Sequence, residues 1–138
     1  MRRYFIDTNV FLNTLIQRDK KSFIDCCQFL DNIKSNKFKA VTSNVVLAEL
    51  VWVLKSFYGF SREKISRGLK SIVKLKGLRL IDNYQLLKAI EMYESKSVKY
   101  IDALIASIKP IFEKKWIIVS YDKDFDKLKV KRVEPGEL

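Results

Sequence analysis

Glu49 lies inside the run Val45-Val46-Leu47-Ala48-Glu49-Leu50-Val51-Trp52-Val53-Leu54. A carboxylate in so apolar a helix is costly to desolvate unless a cation, a metal ion or several donors meet it. The plainer alternative is a narrow polar stripe along the helix edge. Asp7 ends the aromatic and β-branched segment Arg3-Tyr4-Phe5-Ile6, and Asp102 sits between Tyr100-Ile101 and Ala103-Leu104-Ile105-Ala106. Each could simply cap a helix. Asp122, Asp124 and Asp126 crowd the exit of Trp116-Ile117-Ile118-Val119-Ser120, and acids so close together ordinarily make a solvated loop. Asp126 reads as surface.

The positions say more together than singly. In open α/β sheets the carboxyl ends of the strands share one edge, and ligands bind there. Asp7 and the Asp122 group therefore converge, and Glu49 and Asp102 from neighbouring helices would complete a pocket of at least four negative charges. Like charges that close repel, and divalent cations make such a cluster tolerable. Histidine is absent, which removes Ser-His and Cys-His nucleophile systems and His-ligated zinc. A set of oxygen ligands suits Mg²⁺ or Mn²⁺. Lys plus Arg number 27 against 16 Asp plus Glu, a net charge of +11. With five acids gathered in the pocket, 27 cations face the remaining 11 acids and the rest of the body carries +16. A negative pit in a positive body is what phosphodiester cleavage needs. The body holds a polyanionic backbone, while the metal activates water and stabilises the leaving oxygen.

These side chains need a scaffold, and the chain reads as one domain over residues 1–138. Hydrophobic residues make up 48% and charged residues 31%, too apolar for disorder and too often interrupted by charge for a membrane span. Only 4 Gly and 2 Pro exclude collagen-like and linker-like classes. Cys26 and Cys27 are adjacent, so a disulfide scaffold is not expected, and no secretory signal opens the chain. A reduced, cytoplasmic protein is the expectation.

Short strands are predicted at Arg3–Ile6, Phe38–Thr42, Leu78–Ile81, Trp116–Ser120 and Val130–Val133. Between them, helical spacing puts Phe23, Cys27, Leu30 and Ile33 on one face, and Leu87, Ile90 and Met92 inward on another helix. Pro110 should shorten the helix that follows Asp102. Strands alternating with helices predict a three-layer α/β/α sandwich around a central parallel sheet. A basic helix bearing Arg62, Lys64, Arg67, Lys70 and Lys74 is either an RNA path or a solvated face.

Phe5-Ile6-Asp7-Thr8-Asn9, Ser43-Asn44-Val45 leading to Ala48-Glu49-Leu50, Asp102-Ala103-Leu104-Ile105-Ala106, and Val119-Ser120-Tyr121-Asp122-Lys123-Asp124-Phe125 occur in that order. This series resembles the PIN-domain nucleases, and most of all the VapC-type toxins of toxin–antitoxin pairs. The resemblance spans essentially the whole chain. It implies a PIN-like fold and Mg²⁺- or Mn²⁺-dependent hydrolysis of RNA to 5′-phosphate products. It assigns metal binding and catalysis to Asp7, Glu49, Asp102 and Asp122, with Asp124 as a further metal ligand. Thr8, Asn9 and Ser120 would orient ligands or water. It also implies a cognate antitoxin that inserts residues near the acids, and a homodimer. Two departures stand out: Pro110 lies after the Asp102 helix, and Lys114-Lys115 replace the Gly often found before the late strand.

Other readings share part of this evidence. A non-catalytic RNA-binding module of the same fold would need no acids, yet all are present. A housekeeping RNA-processing nuclease would use the same pocket. An aspartyl phosphotransferase built on Asp7 wants a second Asp where Asn9 stands.

Overall fold

A computed structural model describes residues 2–138. The central sheet has five strands: β1 (Arg3–Ile6), β2 (Lys39–Thr42), β3 (Leu78–Leu80), β4 (Ile117–Val119) and β5 (Arg132–Val133). Their spatial order is β3-β2-β1-β4-β5, and every neighbouring pair is parallel. Phe5 aligns with Val41 on one side and Ile118 on the other. Strands buried on both faces read as continuous apolar runs, which is why Phe5-Ile6 and Ile117-Ile118-Val119 show no polar alternation.

The connections carry α1 (Thr8–Leu15), α2 (Lys20–Lys34), α3 (Asn44–Ser56) and α4 (Arg62–Val73) on the way from β1 through β2 to β3. After β3 the chain crosses back through α5 (Leu86–Ser95), α6 (Tyr100–Ser107) and α7 (Lys109–Phe112) to β4. Right-handed crossovers place these two sets on opposite faces, because the chain reverses direction across the sheet at β1. The α/β/α architecture read from the sequence is the one observed. The reversal leaves a crevice beyond the carboxyl ends of β1 and β4, the place where such sheets bind ligands.

The core brings together Phe5, Phe11, Phe29, Leu50, Ile105, Ile118 and Phe125, all fully buried. Two helix faces differ from expectation. The buried stripe of α2 is Cys26, Phe29 and Ile33: the expected Ile33 lies on it, whereas Phe23, Cys27 and Leu30 are only partly buried. On α5 Ala89 is buried and Met92 packs against the core as expected, whereas Leu87 is 78% and Ile90 48% exposed. Their apolar spacing is real, but it points outward. Pro110 does interrupt the helical run: α6 ends at Ser107 and the proline sits in the first turn of α7, where its missing N–H costs nothing. Lys114, in the place where Gly is often found, adopts φ 62°, a left-handed conformation that costs an L-residue about 1–2 kcal/mol. Both cysteines are free. Burial pushes the Cys26 thiol up to about 11, so it is inert rather than reactive.

Candidate active site

Asp7 follows β1 directly. It occupies the N-cap position of α1 but makes no side-chain cap hydrogen bond there. Its Oδ2 instead accepts from Ser120 Oγ at 2.5 Å and from Asn9 Nδ2 at 3.3 Å. Ser120, just past β4, also accepts from Asp122 N at 2.9 Å, and Tyr121 N donates to Asn9 Oδ1 at 3.2 Å. The exits of β1 and β4 are thus stitched together through Ser120 and Asn9. Burial drives the Asp7 carboxyl up to about 6, partly opposed by the Ser120 hydroxyl.

Asp102 lies in the first turn of α6, whose N-cap is Lys99. It is only 2% exposed, and its Oδ2 has no hydrogen-bond partner. An unmatched buried carboxylate oxygen costs far more than a cap contributes. Burial raises the Asp102 pKa to about 8 despite the attraction of Lys99, and the charges of Asp122, Asp7 and Glu49 push it the same way.

The loop after β4 forms a short 3₁₀ turn over Lys123–Leu128, started by Asp122, whose Oδ1 accepts from Asp124 N at 2.9 Å. That turn aims two carboxylates back at α6. Oxygens of Asp102, Asp122 and Asp124 all lie within 4.8 Å of one another, the one such group of three or more among the described residues. Asp7 and Glu49 border this trio. Glu49 Oε1 accepts from Thr8 Oγ1 at 2.6 Å, which settles how α3 carries a half-buried acid: its partners are polar groups of the crevice. Thr8, Asn9 and Ser120 each hold an acid or its loop.

The acids do not stand free of cations. Lys99 Nζ lies 3.5 Å from Glu49 Oε2 and 3.8 Å from Asp122 Oδ2. Desolvation pulls the Lys99 pKa down, but Asp102, Glu49, Asp122 and Asp7 together outweigh it and hold the ammonium above its usual value. Lys127 lies 3.0 Å from Asp124. Nothing in the spacing of Lys99 marks it in advance. Two further groups escaped the sequence reading. Asp82 accepts from Ser43 Oγ, Asn44 N and Tyr84 OH at 3.0, 3.1 and 2.6 Å, pinning the start of α3 and so the line along which Glu49 is delivered. Arg132, its side chain 12% exposed, grips both oxygens of Asp126 and donates to the Ser120 carbonyl at 2.9 Å. Asp126 is exposed, as expected, yet it anchors the acidic loop to β5.

The donor set is all oxygen, three carboxylates are mutually close, and one buried oxygen lacks any partner. Those features fit a hard divalent cation. They fit a hydrogen-bonded core poorly.

The comparisons agree with this geometry. The family model described as PIN domain matches residues 4–131. Among solved structures, the crystal structure of VapBC2 from Rickettsia felis bound to a DNA fragment from their promoter is similar at TM-score 0.65 and 20% identity. That alignment covers 96% of this chain and 98% of the other. The crystal structure of PAE2754 from Pyrobaculum aerophilum gives TM-score 0.69 at 12% identity, covering 99% and 91% of the two chains. No curated protein matches the sequence significantly.

Proposed function

The chain belongs to the PIN-domain family, and on that premise we propose that it is a metal-dependent endoribonuclease, the toxin of a toxin–antitoxin pair. The observation that carries the reading is the buried Asp102 carboxylate, with one oxygen unpartnered, grouped with Asp122 and Asp124. Asp7, Glu49, Asp102, Asp122 and Asp124 are the proposed ligands of Mg²⁺ or Mn²⁺. Bound there, the metal would supply Lewis-acid stabilisation and an acidified water.

The chain's own groups do the rest. Ser120 and Asn9 fix the Asp7 carboxylate, and Thr8 fixes Glu49, so the acids are oriented before substrate arrives. The 3₁₀ turn, clamped by Arg132 and Asp126, holds Asp122 and Asp124 toward α6. Lys96, Lys114, Lys127 and Lys129 line a cavity of about 310 Å³ beside that turn, a path for a phosphate backbone toward the acids. The basic residues of α4 line no part of that cavity and serve general attraction.

The toxin reading draws on the likeness to VapBC2, with a cognate antitoxin as partner. A homodimer is supported by α5, where Leu86, Leu87, Ile90 and Tyr93 are all exposed and lie along the helix at spacings that share one side. No helix among the described residues is long and apolar enough to cross a membrane, in keeping with the proposed cytoplasmic setting.

The deciding experiment incubates the protein with single-stranded RNA and DNA in Mg²⁺, in Mn²⁺ and in EDTA. Cleavage of RNA that needs the metal and disappears in Asp7→Asn is the expected result. RNA binding without cleavage under every condition would make the chain a non-catalytic module of the same fold.

A further inference from the structure

Lys99 stands at the N-cap of α6, three residues ahead of Asp102. Its ammonium reaches Glu49 on α3 and Asp122 on the loop after β4, so one lysine spans two walls of the acidic pocket. The contacts, at 3.5 and 3.8 Å, are longer than the roughly 2.7–2.9 Å of a fitted charge-assisted hydrogen bond. The lysine is therefore held by charge rather than by a directional fit. Its side chain is 57% exposed, so it can swing out without unpacking anything. It is also an incomplete solution to the pocket's charge, because Asp102 Oδ2 stays unpartnered beside it.

A compact, monovalent, flexible cation among carboxylates that suit a divalent one is a competitor for the same place. We propose that Lys99 is a tethered occupant of the cation site. In the metal-free protein it compensates Glu49 and Asp122, and a divalent ion must displace it to bind. The lysine thereby sets the divalent concentration at which the site loads. This rests on the reading of these acids as a metal site.

The test is calorimetric titration of Mn²⁺ into the purified full chain, with melting temperatures recorded in EDTA and in saturating Mn²⁺. Wild type is compared with Lys99→Met, Lys99→Gln and Lys99→Arg. Lys115→Met, which removes a charge paired with Glu113 instead, is the control. The neutral variants should bind Mn²⁺ about tenfold more tightly, roughly 1.4 kcal/mol. They should melt lower than wild type in EDTA and no lower in Mn²⁺, whereas a merely structural ion pair would lower both. Lys99→Arg should bind no more tightly than wild type, and Lys115→Met should leave the affinity unchanged. Equal or weaker Mn²⁺ binding by both neutral variants overturns the proposal. So does an equal gain in Lys115→Met, which would trace the effect to net charge. If wild type itself takes up no Mn²⁺, the metal-site reading fails, a result distinct from either.

Discussion

Replacing Asp102 by Asn should stabilise the metal-free protein while destroying the proposed nuclease activity. In the fold, Asp102 keeps a proton up to about pH 8, whereas in the unfolded chain it loses it near 3.8. Between those values the unfolded state binds fewer protons than the folded one, so stability falls as pH rises. The penalty accrues at about 1.36 kcal/mol per pH unit, giving a ceiling of about 4 kcal/mol at pH 7. Asn carries no such penalty, but it brings an amide of its own to satisfy, a cost of about 1–3 kcal/mol. The net gain should be about 1–3 kcal/mol. For a chain of this size that is about 3–5 °C in melting temperature per kcal/mol. The assay is thermal denaturation followed by circular dichroism, in EDTA, from pH 5 to pH 8. Wild type should lose stability across this window, and Asp102→Asn should show a flatter profile and a higher melting temperature at pH 7. In saturating Mn²⁺ the order should reverse, because only wild type gains from metal binding. A lower metal-free melting temperature for Asp102→Asn at pH 7 would refute the view that this carboxylate is held at a cost for a cation.

Ser120→Ala removes the donor that holds Asp7 and frees the amide of Asp122. Metal affinity should fall about 10–100-fold. Because that donor lowers the Asp7 pKa, its loss should also move the acidic limb of the pH–rate profile to higher pH. Leu87→Glu should convert the proposed homodimer to monomer in multi-angle light scattering without changing the far-ultraviolet spectrum, since Leu87 packs into no core. A variant still dimeric would place the interface elsewhere. Lys114→Gly relieves a left-handed residue at some cost in chain entropy, so urea unfolding should show a net gain of about 0.5–1 kcal/mol.

Much of this protein is legible from residue types in order. Apolar, β-branched runs that stop at Asp7 and Ser120 mark buried parallel strands, because a strand covered on both faces has no reason to alternate. Acids at those stops, and acids embedded in apolar helices at Glu49 and Asp102, stand out together because burial of charge is expensive, although each alone also reads as a cap or a polar stripe. The helix faces were less legible. Leu87 and Ile90 keep the spacing of a buried stripe but face outward, and periodicity measures which residues share a side, never what covers it. On α2 the neighbouring lines of apolar residues lie within one turn of each other, and only packing against Tyr4 and Phe38 selects the one containing Phe29.

What spacing along the chain could not contain is the mutual geometry of groups far apart in it. That Asp122 and Asp124 both meet Asp102 depends on a 3₁₀ turn and on the Arg132–Asp126 clamp. That Lys99 enters the pocket depends on how α6 starts beside α3. The sequence by itself determined the sheet and the direction of its strands and singled out the carboxylates that burial would make costly, since these follow from local propensity and solvation. The tertiary structure alone decided which acids share one space and which cation stands among them. Coulombic interaction falls with distance in space, and positions along a chain do not measure that distance.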